Sequence, residues 1–147
     1  MVSSDGRKVA AIVAPKYGKW TVAVDGSPWG MTAKDLVAEA VFSPDASSIA
    51  AVIKNREEWS VAVDGKAWKN TFDMVFKPVF SPDGKVLAAK VEKNGKFGFA
   101  LNDRLWGKEC DYAWDPVFSP DGEKVLLKAV EDGTYVRRVI PVVDLIQ

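Results

Sequence analysis

The chain has 147 residues, 48% of them apolar and 27% charged, which is enough for one domain with its own core and too apolar for a disordered chain. Twenty Lys and Arg balance twenty Asp and Glu, and a net charge of zero argues against nucleic acid or an anionic bilayer as partner, because both are held by a basic excess. There is no histidine and one cysteine, Cys110, which excludes Ser–His and Cys–His nucleophiles, His-ligated metal or haem, iron–sulfur clusters and an intrachain disulfide.

The start of the chain, Met1-Val2-Ser3-Ser4-Asp5-Gly6, has neither a basic nor an apolar leader, and no apolar run reaches the ~20 residues of a membrane helix. The expectation is a cytoplasmic protein that does not insert into membrane. That opening is also a degenerate copy of a turn that recurs as Val41-Phe42-Ser43-Pro44-Asp45, Val79 to Gly84 and Val117 to Gly122, the last three at a spacing of 38. An apolar run follows each turn: Val9 to Val13, Ile49 to Ile53, Val86 to Val91 and Val125 to Val130. Next come a short polar loop and an aromatic, Trp20, Trp59, Phe97 or Tyr135. Apolar residues then stand at every second position (Trp20, Val22, Val24; Trp59, Val61, Val63; Phe97, Phe99, Leu101), the period of a strand. Asp25-Gly26, Asp64-Gly65 and Asn102-Asp103 follow at once and predict type I′ hairpins, which would pair Val22 with Trp29 and Trp20 with Met31.

A second tryptophan lies just beyond each hairpin turn: Trp29, Trp68 and Trp106. Extended segments, Leu36 to Phe42, Met74 to Phe80 and Tyr112 to Phe118, then lead into the next Ser-Pro-Asp turn. One short stretch, Thr32 to Val37, has the pattern of a helical turn. Four strands in about 38 residues, four times over, predict an all-β propeller of four four-stranded blades, either half of an eight-bladed ring or a small closed propeller. The repeats fall at about 1–40, 41–78, 79–116 and 117–147 of a single domain, 1–147.

The Phe-Ser-Pro-Asp-Gly turn followed by an apolar strand resembles the WD40-like repeats of the TolB type, also called PD40 repeats. The narrower pattern Val-Asp-Gly-x-x-Trp, followed by a segment such as Phe72 to Phe80, is similar to the tryptophan-rich cytoplasmic subunit of Tmc-type transmembrane redox complexes of sulfate-reducing bacteria. That resemblance implies a cofactor-free accessory subunit of a membrane-bound electron-transfer complex, whose other subunits would be its protein partners.

The recurring aspartates of the turns are explained by turn chemistry rather than by metal: Pro presets φ, Asp accepts hydrogen bonds from its own turn, and Gly takes the left-handed residue. Glu57-Glu58 and Glu131-Asp132 fall in solvated loop tips, Lys90, Lys93 and Lys96 serve solubility, and Cys110 is a small buried residue. Glu39, Lys77 and Asp115 share one inner position, a mixed-charge set that does not favour an enzyme working in a central channel. No catalytic, metal or cofactor residue is therefore assigned. Trp20 and Trp59 are expected to pack in the core. Trp29, Trp68 and Trp106, at strand ends, are the expected protein-binding residues, because tryptophan dominates interface hot spots. The last copy departs from the pattern. Arg137 and Arg138 replace a core Val or Phe and an Ala, Pro141 removes the hairpin, and an apolar tail, Pro141 to Ile146, is added. An open face at each end and that tail predict a head-to-tail homodimer. The functional expectation is a non-enzymatic interaction or scaffold module, the alternative being a glycan- or small-ligand-binding propeller using exposed tryptophans.

Overall fold

A computed structural model describes residues 1–146 as four antiparallel sheets in chain order, without a sheet-to-sheet crossover. The first holds β1 (Ala10–Lys16), β2 (Lys19–Val24) and β3 (Ser27–Pro28). The second holds β4 (Leu36–Phe42), β5 (Ile49–Asn55), β6 (Glu58–Val63) and β7 (Lys66–Ala67). In the third, β8 (Met74–Val75) and β9 (Val79–Phe80) lie along β10 (Leu87–Lys93), followed by β11 (Lys96–Leu101) and β12 (Arg104–Leu105). The fourth pairs β13 (Tyr112–Ala113) and β14 (Val117–Phe118) with β15 (Lys124–Glu131), and β15 with β16 (Thr134–Pro141).

The leading segment of each sheet pairs with the strand that follows the Ser-Pro-Asp turn, for example Val37 with Ile53 and Leu87 with Phe80. Each hydrogen-bonded sheet therefore straddles the turn at which the sequence repeat begins. Each leading segment is interrupted once, at Glu39 (φ 50°), Lys77 or Asp115, where a bulge or a break divides it. Pro78 and Pro116 sit beside these breaks, where a missing N–H costs nothing.

The four turns are built alike, the degenerate first copy included. The hydroxyls of Ser3, Ser43, Ser81 and Ser119 donate to Asp5, Asp45, Asp83 and Asp121 at 2.6, 2.7, 2.6 and 2.6 Å. The same hydroxyl oxygens accept the amides of Lys8, Ser48, Val86 and Lys124. The turns also stack: Lys8 Nζ donates to the Ala46 carbonyl at 2.7 Å, and a Cβ at Gly84 would sit 3.3 Å from Ser43 Cβ.

The hairpin residues take positive φ as expected (Asp25 50°, Gly26 83°; Asp64 49°, Gly65 82°), and their side chains also reach backwards. Asp25, Asp64 and Asn102 accept the amides of Val9, Ile49 and Leu87, closing the start of the preceding strand.

Three core clusters fill the three gaps between consecutive sheets. Because β5 and β10 are covered on both faces, successive residues alternate between gaps. Ile49, Ala51 and Ile53 face the first sheet, while Ala50 and Val52 face the third. This is why these strands read as uninterrupted apolar runs.

Three expectations are corrected. Thr32 to Val37 is not helical: Ala33 bridges to Trp20, and Leu36 already begins β4. Trp20 pairs with Ala33 and not Met31, because two extra residues bulge out of the outer strand. The same happens at Trp59 with Phe72 and at Phe97 with Cys110. The bulge is secured from below, Thr21 Oγ1 donating to the Met31 carbonyl and Ser60 Oγ to that of Asn70, both at 2.7 Å. Arg137 pairs with Lys128 on the uncovered face of the fourth sheet and is exposed, in keeping with the open face expected there. The apolar tail is not extended: α1 (Val142–Ile146) buries Val142 and packs Leu145 and Ile146 on the core beneath the third and fourth sheets.

Candidate interaction surface

Trp29, Trp68 and Trp106 do not converge. Each is half-buried against a different core cluster, so the three mark successive gaps. Trp29 lies on the next hairpin, its Cβ and Cγ 3.3 Å from where a Cβ on Gly65 would be. Trp68 precedes a clamp of the same kind: the amides of Lys69 and Asn70 donate to the Asp103 carboxylate at 2.8 and 3.1 Å. The order of exposure differs from that expected at the first sheet, where Trp20 is 39% exposed and Trp29 is half-buried. Trp20 shares the face of Val22 and Val24, towards the second sheet, and lies beside the β1–β2 loop, where it stays partly in solvent.

The structure also assembles a run of rings. Phe76 and Phe97 have centroids 6.1 Å apart, Phe97 and Tyr112 5.5 Å, Tyr112 and Trp114 4.9 Å, and Trp114 and Tyr135 5.6 Å. The last two contacts are edge-to-face, the arrangement that the ring quadrupole favours. The run leaves the gap between the third and fourth sheets and ends on the open face of the fourth. Lys90 supports it: its ammonium lies 4.1 Å from the centre of Phe76 and 3.8 Å from the Asp115 carboxylate. Sequence reasoning missed this surface because its members come from four separate segments of the chain. The available signal was that Ala38, Phe76 and Trp114 occupy one repeat position and grow in size along the chain.

The two end sheets each show a face with no sheet on it among the described residues. On the fourth, Leu126 pairs with Val139, Lys128 with Arg137 and Val130 with Tyr135; Tyr135 is 52% and Val139 64% exposed. On the first, Val9, Ala11, Val13 and Ala23 occupy positions whose counterparts Ile49, Ala51, Ile53 and Ala62 are buried. Arg138 sits on the covered face of the fourth sheet and is matched by Glu131 through two bonds, 3.1 and 2.6 Å. That guanidinium holds the Glu131 carboxyl below its usual range. Beside them Cys110 is buried, and burial pushes its thiol up, away from nucleophilic use.

Concave space is found where the stacked turns meet α1, a cavity of about 530 Å³ lined by Asp83, Asp121, Glu123, Lys124 and Ile146 among others. Among the described residues no three His, Cys, Asp or Glu side chains are close enough to hold a metal ion together, and no helix is long and apolar enough to cross a membrane.

No family model matches the chain, and no curated protein matches its sequence. Solved structures do match in shape. TolB from Acinetobacter baumannii superposes with a TM-score of 0.58 at 17% identity, over 99% of this chain and 41% of that one. A TolB-type protein from Agrobacterium tumefaciens gives 0.56 at 19% identity, over 94% of this chain and 58% of its own length. The chain thus has the fold of TolB-type β-propeller repeats, and spans less than two thirds of the length of each of those two structures.

Proposed function

We propose that this chain is a non-enzymatic interaction module of the propeller type, whose four sheets act as blades and whose partners are proteins. The observation that carries the reading is the aromatic run from Phe76 to Tyr135, which opens onto an uncovered sheet face beside Val117 and Val139. Contiguous exposed apolar surface of this kind marks interaction sites. Protein is favoured over glycan because the edge-to-face contacts of Tyr112, Trp114 and Tyr135 leave few flat ring faces for a sugar. The tryptophan pattern that resembles the Tmc-type subunit supplies the setting: an accessory cytoplasmic subunit beside a membrane-bound electron-transfer complex, itself without cofactor. Trp29, Trp68 and Trp106, one at each successive gap, are a second set of protein contacts in this reading, separate from the aromatic run.

The test is alanine substitution of Trp29, Trp68 and Trp106 and, separately, of Trp114 and Tyr135, with melting temperature and recovery of co-purifying protein measured together. Loss of partner at unchanged melting temperature supports docking. Equal loss of both for the first set makes those residues core, and unchanged recovery for both sets removes the reading.

A further inference from the structure

The outer edge of β1 differs from the same edge in the other three sheets. Trp29 N donates to the Val22 carbonyl at 2.8 Å, so the backbone of Val22 faces β3 and that of its partner Ile12 faces the other way, out of the sheet. At the equivalent positions, Val52 pairs with Ala38, and the carbonyls of Lys90 and Lys128 accept the amides of Phe76 and Trp114, both at 3.0 Å. Among the described residues only Met1 and Val2 lie on the β1 edge, beside Ala10 and Val9. Ile12 is 41% exposed, while Val52 is 1% exposed. The run Ala10 to Ala14 carries no charge and no proline, the devices that ordinarily blunt an edge.

Three internal examples define what such an edge accepts. Each begins with aspartate and continues with an apolar residue, a Val or Ala, and a further apolar residue: Asp35-Leu36-Val37-Ala38, Asp73-Met74-Val75-Phe76 and Asp111-Tyr112-Ala113-Trp114. The aspartate accepts an amide from the neighbouring hairpin loop, that of Arg56, of Asn94 (2.7 Å) or of Gly133 (3.2 Å). The third residue is buried in all three, and the amide of the fourth bonds the strand. In the first sheet the corresponding loop is Tyr17-Gly18, with Tyr17 fully exposed.

We infer that the β1 edge is a peptide-docking site that takes an extended segment of the form Asp-apolar-Val/Ala-apolar from another polypeptide. The fourth residue of that segment donates its amide to the Ile12 carbonyl, and its aspartate accepts from the Tyr17-Gly18 loop. Main-chain bonds supply affinity, as in other strand-addition sites. The second and fourth residues, on the side of the second sheet, supply selectivity, the third lying beside Val13 on the uncovered face. This rests on the protein-interaction reading and adds to it the chemistry of one partner.

The experiment titrates the 147-residue protein with a fluorescent peptide of the sequence Asp73 to Val79, following anisotropy and the exchange rate of the Ile12 amide. Saturable binding below about 1 mM is expected, with slowed Ile12 exchange. Methylating the amide nitrogen of the fourth peptide residue is expected to weaken binding about tenfold or more, and replacing the peptide's aspartate by alanine to weaken it severalfold. No saturation, or equal binding of the methylated peptide, overturns the proposal. So does Ile12 protection that rises with protein concentration alone, because a second copy then occupies the edge. Loss of partners on substituting Trp114 and Tyr135 bears only on the wider reading and leaves this titration unaffected.

Discussion

Ser43 and Ser47 hydroxyls and the Ser47 amide all donate to the Asp45 carboxylate, which lowers it to about 2. Asp5, Asp83 and Asp121 are lowered for the same reason, chiefly by their turn serines. A carboxyl lowered on folding stabilises the native state above its unfolded value, near 4, and that contribution is lost as pH falls through the folded value. Denaturation midpoints should therefore hold at neutral pH and decline between about pH 4 and 2. Ser43→Ala should raise the Asp45 midpoint, read by carboxyl NMR, lower stability at neutral pH and make the acid decline shallower. A second residue-scale prediction concerns Gly65, at φ 82° with Trp29 against it. Gly65→Ala forces a left-handed alanine and pushes on the indole, and should cost about 1–3 kcal/mol in chemical denaturation with a shift in tryptophan emission.

At the scale of elements, the hairpins show how far local chemistry reaches. Asp-Gly and Asn-Asp turns and the period-two pattern predict β2–β3, β6–β7 and β11–β12, with their tight turns in the right places. The bulge that follows was not legible. In two of the three sheets the buried hydroxyls of Thr21 and Ser60 hold a carbonyl ten residues away, and such a bond leaves no periodic trace. Gly98 stands at the same position in the third sheet without a hydroxyl, so even the repeat hides it. Thr21→Val keeps the shape and orphans the Met31 carbonyl. It should cost about 1–2 kcal/mol in chemical denaturation, against a few tenths for the exposed Ser4→Ala. The Thr32 to Val37 misreading has a related cause. A short apolar stretch between breakers fits a helical turn or a strand start equally well, and the bridge from Ala33 to Trp20 decides between them. The tryptophans were assigned by position along strands, but their exposure depends on what the neighbouring sheet brings against each one, as the second hairpin does for Trp29. Trp29 has Gly65 of that hairpin against it and is half-buried, while Trp20 is 39% exposed.

For the whole molecule, contacts run from each sheet to the next, and stability should follow nearest-neighbour rules with the end sheets weakest. The first and fourth sheets present faces of the same apolar kind that internal sheets bury. If these faces meet between two chains, eight sheets close one ring and nothing grows further. Because α1 is packed on its own core, the contact would be made by the sheet faces and not by the tail. Light scattering at micromolar concentration should give twice the chain mass, and Val139→Asp, on an exposed position, should return it to a single chain without lowering the melting temperature. A single-chain mass for the unsubstituted protein excludes the ring.

The offset between the repeated sequence and the hydrogen-bonded sheet has a consequence for inheritance. The second, third and fourth sheets each take their first strand largely from the end of one sequence unit and their other strands from the beginning of the next. Removing residues 41–78 would join Ala40 directly to Val79, completing the first strand of the second sheet with the last residues of the third sheet's first strand. Every interior ladder would be filled again, and a duplication would do the same in reverse. Unequal exchange between copies of such a gene therefore produces longer or shorter arrays that differ by whole sheets and keep identical ends, so sheet number can drift while the two terminal surfaces are preserved.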